Sequence, residues 1–264
     1  MATAVFFHAH PDDEAIATGG TMAKMAAAGH RVVLVTATRG ELGLVPEDLA
    51  PGATLDDRRA AELDAACAVL GVARHEYLGY RDSGMEGEPT NEDPSCFWRV
   101  DVDEAAERLC ALLQSEHAEI LTAYDERGTY GHPDHIQVHR VGLRAAEMAG
   151  TSRVFMATVN RDHVRGLTQR AEEFGAAEVA GNFEERREEF EGLGVPAERI
   201  TTAVDVSQFL DQKRRAMAAH TSQIAETSFF LAMPPEAFAV VWGTEWYMRL
   251  GVTPGEPYET SLLA

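Results

Sequence analysis

The chain has 264 residues and a formal net charge of −20 at pH 7, because 43 acidic side chains outnumber 23 basic ones. This length suits one large α/β domain that buries its core without disulfides, and so acidic a surface argues against binding to nucleic acid or to an anionic membrane. No apolar run approaches the ~18 residues needed to span a bilayer. The N-terminus lacks a basic leader, and the three widely spaced cysteines favour a reducing cytoplasm.

Short apolar runs alternate with amphipathic stretches along the first 160 residues. Runs of β-branched and aromatic residues predict five buried strands, at Ala4–Phe7, Arg31–Ala37, His75–Leu78, Ile120–Tyr124 and Val154–Val159. Helical spacing of apolar residues predicts the helices between them, at Glu14–Ala28, Asp56–Leu70, Val102–Ser115 and Pro133–Ala149. Three of these helices are followed by a glycine that suits a C-terminal cap, namely Gly29, Gly71 and Gly150. The alternation predicts an α/β fold with a mostly parallel, doubly wound sheet.

The alternation weakens after residue 160. Residues 161–199 are rich in glutamate and prone to form helix, and we interpret them as a solvated lid or helical excursion. A further strand at Ile200–Val206 and a helix from Ser207 to about His220 are expected. The aromatic tail Phe229–Leu250 is apolar enough to pack back on the body as a C-terminal extension. Because the chain has neither an internal repeat nor a low-complexity linker, we predict a single domain over residues 1–264.

The first predicted strand is followed by two histidines and three carboxylates within seven residues, His8-Ala9-His10-Pro11-Asp12-Asp13-Glu14. In open α/β sheets, ligands bind beyond the carboxyl ends of the strands. Clustered carboxylates are costly unless a cation or protons offset their charge, and a divalent metal is the simplest offset. Pro11 fixes a kink that can turn His10 and Asp13 toward one point and leave Asp12 in another direction. The alternative is that Asp12 or Asp13 merely caps the helix that follows.

A second cluster, Tyr130-Gly131-His132-Pro133-Asp134-His135, follows the fourth predicted strand. Pro133 suits the first helical position, so that His132, His135 and His139 lie along one side of the helix. Imidazole and carboxylate groups together are the composition of a catalytic zinc site, where three protein ligands leave a position open for water. Spacing alone does not say which histidine binds a metal and which acts on the substrate. Taken singly, each histidine is more typical of a hydrogen-bonded structural residue, but three on one helical stripe at the end of a strand favour a functional site.

Together, His10-Pro11-Asp12-Asp13-Glu14 and Gly131-His132-Pro133-Asp134-His135 resemble the PIG-L/LmbE family of zinc-dependent N-deacetylases. The resemblance covers residues 1 to about 160 and, more loosely, the helix Ser207–Gln223. The stretch Leu78-Gly79-Tyr80-Arg81-Asp82-Ser83-Gly84-Met85 is similar to the branch of the family that acts in mycothiol metabolism. The resemblance implies a Rossmann-like fold and the removal of an acyl group from the amine of a glucosamine unit.

The resemblance also implies which residues hold the metal and the substrate. The metal would be Zn2+, although the same ligands would accept Fe2+ or Co2+, and its implied ligands are His10, Asp13 and His135. Arg59 and Asp82 match positions that hold the sugar and its aglycone. The alternative is that Arg59 is an ordinary arginine on a helix surface and that Asp82 is an aspartate in a turn.

Four further residues match catalytic positions of the family. Asp12 would be the general base that takes a proton from the attacking water. Tyr130 and His132 would polarise the amide carbonyl, and His132 would also protonate the leaving amine. Asp134 would orient His132 and raise its basicity. The expected partner is therefore a small amino-sugar substrate, and the sequence is equally compatible with a monomer and with a homo-oligomer.

Three other functions compete with an N-deacetylase of a small N-acetylglucosamine conjugate. One is an amidase that cleaves a larger acyl chain from the same nitrogen, as with mycothiol S-conjugates. The choice of substrate is open because Ala17 departs from the polar residue expected in the mycothiol branch. Another is a metal- or sugar-binding protein without turnover, although Asp12 and His132 are needed only for turnover. A nucleotide-binding domain is disfavoured, because the chain has no G-x-G-x-x-G or G-x-x-x-x-G-K-[ST] loop.

Overall fold

A single seven-stranded sheet organises the computed structural model, which describes residues 1–170, 192–228 and 230–264. The strands are β1 (Thr3–His8), β2 (Arg31–Thr36), β3 (Arg74–Tyr77), β4 (Ile120–Tyr124), β5 (Arg153–Thr158), β6 (Thr202–Asp205) and β7 (Thr244–Arg249). The α-helices are α1 (Asp13–Ala17), α2 (Gly19–Ala27), α3 (Leu55–Leu70), α4 (Val102–Ser115), α5 (Gly128–Gly131), α6 (Pro133–Ala149), α7 (Arg161–Arg170), α8 (Leu210–Ala219) and α9 (Pro235–Trp242). Within these residues, no helix is both long and apolar enough to cross a membrane.

The strand order is β3-β2-β1-β4-β5-β7-β6. The first five strands are parallel, and β7 runs antiparallel to both β5 and β6. Alternate residues of β1 enter two separate cores, with Phe6 packed among residues of α2, α3 and α8 and Phe7 among residues of α4 and α6. Helices therefore cover both faces of the sheet, as a mostly parallel sheet requires. The predicted doubly wound α/β fold is confirmed.

Glycines end three of the helices, as predicted. Gly29, Gly71 and Gly150 have φ angles of 80°, 75° and 71°. A residue with a side chain rarely adopts this left-handed conformation, which turns the chain out of the helix and allows backbone N–H groups to reach its last carbonyls. The glycines therefore fix where the chain leaves each helix for the next strand.

The predicted helix Glu14–Ala28 is wrong in one respect, because the structure divides it into α1 and α2 at Thr18. The backbone of Thr18 has φ −136° and ψ 6°, outside the helical region. Its Oγ1 lies 2.8 Å from Nε2 of the buried His8, and two glycines follow it. A Cβ on Gly20 would lie 2.6 Å from Cβ of Val206, so glycine is needed for this close approach. Gly20 therefore permits the close approach of Val206 to the start of α2.

The C-terminal extension does more than pack against the body, because part of it lies within the sheet. Strand β7 inserts between β5 and β6, whereas Phe229 at the start of the predicted tail lies outside the described residues. The predicted helix from Ser207 begins later, at Leu210, because Ser207–Phe209 forms a 3₁₀ turn. Asp205 accepts the backbone N–H of Ser207 at 2.9 Å and so satisfies a free donor at the start of this turn.

The predicted excursion begins with α7 and ends with a short 3₁₀ turn at Ala197–Arg199. Most of it, residues 171–191, lies outside the described residues, and its role as a lid stays a prediction. The segment at Leu193 and Gly194 is held by Arg161, whose Nε donates to the carbonyl of Leu193 at 3.0 Å. Gly194 then donates its N–H to the carbonyl of Thr129 at 2.8 Å. This segment is therefore tied to the turn that carries Tyr130.

A buried ion pair connects the C-terminal elements to α2. The side chains of Lys213 on α8 and Glu245 on β7 are almost fully buried and bonded to each other. Glu245 also accepts the N–H groups of Gly20 and Thr21, each at 2.8 Å. The carboxylate therefore satisfies the free donors at the start of α2 and neutralises a lysine that has no access to water.

We expect Glu245→Gln to lower the free energy of unfolding by ~3–5 kcal/mol, since it leaves the charge of Lys213 buried without a counter-charge. A matched control is Glu147→Gln, which removes one of two exposed partners of Arg144 and should change stability by less than about 1 kcal/mol. Urea denaturation of both variants measures the difference. Equal effects would contradict a structural role for the buried pair.

Candidate active site

The predicted site residues converge at the carboxyl ends of β1, β3 and β4. Chain crossovers leave β1 and β4 toward opposite faces of the sheet, which makes the gap between these strands a topological switch point, where α/β proteins bind ligands. His10, His132 and His135 are all buried there, and one nitrogen from each lies within 4.8 Å of the other two. The two sequence clusters therefore form one site.

Asp13 lies close to both of the other implied metal ligands. Asp13 Oδ2 lies 3.5 Å from His10 Nδ1 and 3.3 Å from His135 Nε2. Zinc–ligand bonds of ~2.0–2.2 Å in tetrahedral arrangement place ligand atoms about 3.4 Å apart, so both separations suit ligands of one divalent cation. His132 offers a further nitrogen, and Asp82 and Asp134 form a second group with His10. The assignment of His10, Asp13 and His135 as the ligands stays a prediction.

Asp12 has an unusual backbone, with φ 107°. Such a conformation costs ~1–3 kcal/mol in a residue with a side chain and marks a position held by its surroundings. The N–H of Asp12 donates to Glu14 Oε2 at 2.9 Å, and Oδ2 lies 3.3 Å from Nη2 of Arg59. Burial raises the pKa of Asp12 to about 6, although the charge of Arg59 opposes the shift. The carboxyl therefore titrates close to neutrality, as suits a general base.

His132 is held by the start of the helix that follows it. It caps α6, with Nδ1 accepting the backbone N–H of Asp134 at 3.1 Å, so a neutral ring carries its proton on Nε2. Burial and the charges of His10 and His135 lower the pKa of His132 to about 3. At pH 7 the ring is therefore neutral, can donate one hydrogen bond from Nε2, and must gain a proton before it can act as an acid.

The side chain of Asp134 does not orient His132 in the predicted way. Its Oδ2 lies 3.1 Å from His10 Nε2 and accepts the N–H of Ser83 at 3.0 Å, and its Oδ1 accepts the hydroxyl of Ser83. Only the backbone of Asp134 contacts His132. The reason is that helix α6 directs this side chain inward, where Nε2 of His10 and the N–H and hydroxyl of Ser83 surround it. Asp134 therefore orients an implied metal ligand.

Tyr130 lies on a tight turn between β4 and α6. The buried Asp125 accepts the N–H groups of Arg127 and Thr129 at 2.9 and 3.0 Å, and Thr129 has φ 68°. This turn leaves Tyr130 47% exposed, with its hydroxyl 3.4 Å from His135 Nε2. Tyr130 is thus the exposed member of the site, and its phenol can reach a molecule entering from solvent.

Arg59 and Asp82 are buried beside the catalytic groups. Arg59 donates to the carbonyls of Gly40 and Pro11, and Asp82 accepts the N–H of Gly84 at 2.9 Å. Asp82 Oδ1 also lies 3.6 Å from His10 Nε2. These hydrogen bonds order the loops around the site, and contact with the sugar or its aglycone stays a prediction for both residues.

Three residues without a role predicted from the sequence support the site. Glu14 bonds to Asp12, Ser83 bonds to Asp134, and the ring of Tyr124 stacks on that of His135 with a centroid distance of 4.4 Å and an interplanar angle of 8°. Glu14 and Ser83 stand within the motifs, next to residues that were assigned a role. Tyr124 carries no such signal, because its position in an apolar run predicts only burial.

Comparison with known proteins places these observations in a family. The family described as "PIG-L: GlcNAc-PI de-N-acetylase" matches residues 5–146, a segment that includes every predicted site residue. The chain belongs to the PIG-L family. It is therefore a hydrolytic N-deacetylase that acts on an amide bond, and the resemblance stated from the two motifs is confirmed.

Relatives of this PIG-L chain agree with the assignment. The "1D-myo-inositol 2-acetamido-2-deoxy-alpha-D-glucopyranoside deacetylase" of Thermomonospora curvata is 41% identical over 265 residues, which cover 93% of this chain and 89% of the relative. N,N'-diacetylchitobiose deacetylase from Pyrococcus horikoshii shares the fold, with a TM-score of 0.58 and 21% identity over 94% of this chain and 83% of its own. The zinc-inhibited form of a teicoplanin deacetylase has a TM-score of 0.59 and 16% identity over 95% of this chain and 99% of its own.

Proposed function

We propose that the chain hydrolyses the N-acetyl group of a small N-acetylglucosamine conjugate, such as N-acetylglucosaminyl-inositol, with the help of one divalent cation. The observation that carries the proposal is the placement of Asp12 and His132 at the carboxyl ends of β1 and β4, beside Asp13, whose carboxylate lies within 3.5 Å of both His10 and His135. A metal held by His10, Asp13 and His135 needs neither Asp12 nor His132 as a ligand. The name of the Thermomonospora curvata relative supports the choice of substrate.

The cation would be held by His10, Asp13 and His135. Burial lowers the pKa of His10, but the carboxylates of Asp82, Asp13 and Asp134 outweigh burial and raise it well above its usual value. So strong an excess of negative charge around one imidazole favours a cation at this point. When bound, Zn2+, Fe2+ or Co2+ supplies Lewis acidity, which makes water available as a nucleophile at neutral pH.

The chain's own groups would then move the protons of the hydrolysis. Asp12 accepts a proton from the water that attacks the carbonyl carbon. The phenol of Tyr130 and Nε2–H of His132 donate hydrogen bonds to the carbonyl oxygen as it gains negative charge. The C–N bond breaks when the amine nitrogen receives the proton that Asp12 took from the water and that His132 passes on. The products are acetate and the free amino sugar.

One feature of the surface favours a second candidate, an amidase that acts on a larger acyl conjugate. Leu42 and Met85 are 41% and 48% exposed. Leu42 donates its N–H to Asp82 at 3.3 Å, and Met85 follows Gly84, which also donates to Asp82. Apolar side chains beside the site would suit an apolar group on the substrate.

An activity panel tests the proposal. Protein of measured metal content should release acetate from N-acetylglucosaminyl-inositol with a higher kcat/KM than from free N-acetylglucosamine, and should act weakly on mycothiol S-conjugates. Preference for the S-conjugates would establish the amidase instead. Absence of turnover on every compound by fully metal-loaded protein would leave a metal- or sugar-binding protein.

We also propose that the reaction occurs in the cytoplasm. Cys67, Cys96 and Cys110 are free and buried, which agrees with the expected reducing cytoplasm. The partner is a small amino sugar, and assembly into a homo-oligomer stays a prediction.

A further inference from the structure

Glu14 is a buried carboxylate that has no role in the proposed chemistry. Oε1 lies 2.7 Å from Nε2 of His220, and Oε2 accepts the backbone N–H of Asp12 at 2.9 Å. Both Glu14 and His220 are inaccessible to solvent. One carboxylate therefore connects a histidine near the C-terminus to the backbone of the proposed base.

Asp12 needs such a contact because its backbone conformation is unfavourable for a residue with a side chain. Glu14 holds its N–H, while Arg59 contacts its carboxylate and donates to the carbonyl of Pro11 just before it. These contacts fix both the backbone and the side chain. Without Glu14, the N–H loses its acceptor and the backbone can relax toward a commoner conformation, which would redirect the carboxylate.

His220 is itself held in place by its neighbours. It lies at the end of α8, and the two residues after it bond to the buried carboxylate of Glu62 on α3. The hydroxyl of Thr221 donates to Glu62 at 2.8 Å, and the N–H and hydroxyl of Ser222 donate at 2.9 and 2.6 Å. The imidazole therefore approaches Glu14 from a fixed segment.

The electrostatics agree with an ion pair. Burial lowers the pKa of His220, but the charge of Glu14 and the hydrogen bond to it raise the pKa above its usual value. Burial raises the pKa of Glu14, and His220 brings it below its usual value. A charged Glu14 is the stronger acceptor for the N–H of Asp12.

We propose that Glu14 and His220 form a positioning pair that holds Asp12 in the backbone conformation from which it accepts a proton. The inference rests on the proposed function, in which Asp12 is the general base. Neither residue of the pair touches the substrate. Their loss should therefore lower kcat, while KM and metal content stay unchanged.

The experiment compares His220→Ala and Glu14→Ala with the conservative variants His220→Gln and Glu14→Gln. Supporting residues of this kind typically contribute ~10–100-fold, and we expect this loss of kcat for both alanine variants. Glutamine keeps a hydrogen-bonding group at either position, so part of kcat should return. Glu245→Gln, which breaks a buried ion pair elsewhere, should reduce stability but leave kcat per folded molecule unchanged.

A double-mutant cycle separates positioning from mere stabilisation. In an Asp12→Asn background there is no base to position, so His220→Ala should cause no further loss of kcat. An additive loss would overturn the inference, and so would loss of metal from His220→Ala. If His220→Ala keeps full kcat while Asp12→Asn is inactive, the positioning pair is refuted and the proposed function stays intact. Full kcat in Asp12→Asn would refute the proposed base itself.

Discussion

Asp12→Asn should lower kcat by ~10²–10⁴-fold, because asparagine cannot accept a proton from the attacking water. Asparagine is also among the residues that best tolerate positive φ, so the backbone around position 12 should keep its conformation. Metal content should be unchanged, since the implied ligands are other residues. The measurement is kcat together with metal stoichiometry for protein purified in parallel with the exposed control Asp103→Asn.

This variant separates proton transfer from metal binding. Near-normal turnover in a metal-loaded Asp12→Asn protein would contradict the assignment of the base. Loss of metal together with activity would instead place Asp12 among the ligands. Asp103→Asn, which removes an exposed partner of Arg144, should behave as the unaltered chain.

We expect about one divalent ion per chain. Replacement of His135 by alanine should remove most of this metal, because a site with three protein ligands loses one of them. His10→Ala and Asp13→Ala should have the same effect. The control is His139→Ala, on the same helix, whose Nδ1 lies 2.9 Å from the carbonyl oxygen of Tyr124 and which should retain the metal. Elemental analysis and chelator competition give the stoichiometry and the affinity.

His132→Ala distinguishes the implied ligand set, which contains Asp13, from the set of three imidazoles. If Asp13 completes the site, His132→Ala should retain its metal and lose turnover. If three imidazoles bind the ion, His132→Ala should lose the metal and Asp13→Ala should keep it. Normal metal content in both His135→Ala and His10→Ala would refute the assignment altogether.

The sequence predicted most of the parallel sheet and the position of the site because both depend on local patterns. Apolar runs such as Ile120–Tyr124 coincide with observed strands, and Gly71 and Gly150 end helices where expected. The two loop motifs lie beyond strands that are neighbours in the sheet, so their convergence follows from the α/β rule. Chemistry could be inferred because histidine and aspartate occur there together.

The rest depends on contacts between distant parts of the chain. The bond between His220 and Glu14 spans 206 residues, and no local pattern predicts it. The side chain of Asp134 turns to His10 rather than to His132 because Ser83, from another loop, supplies donors on that side. Strand β7 was interpreted only as an apolar tail, since its place between β5 and β6 is set by tertiary packing.

The buried carboxylate of Glu14 has a consequence for how the protein reaches its active state. Residues 5–146, the segment matched by the family, contain every implied ligand, yet the counter-charge of Glu14 is His220. During synthesis the ligands emerge from the ribosome well before that histidine. Closing so long a loop is entropically costly and comes late in folding. Full activity should therefore appear only after the C-terminal part of the chain has docked and His220 has reached Glu14.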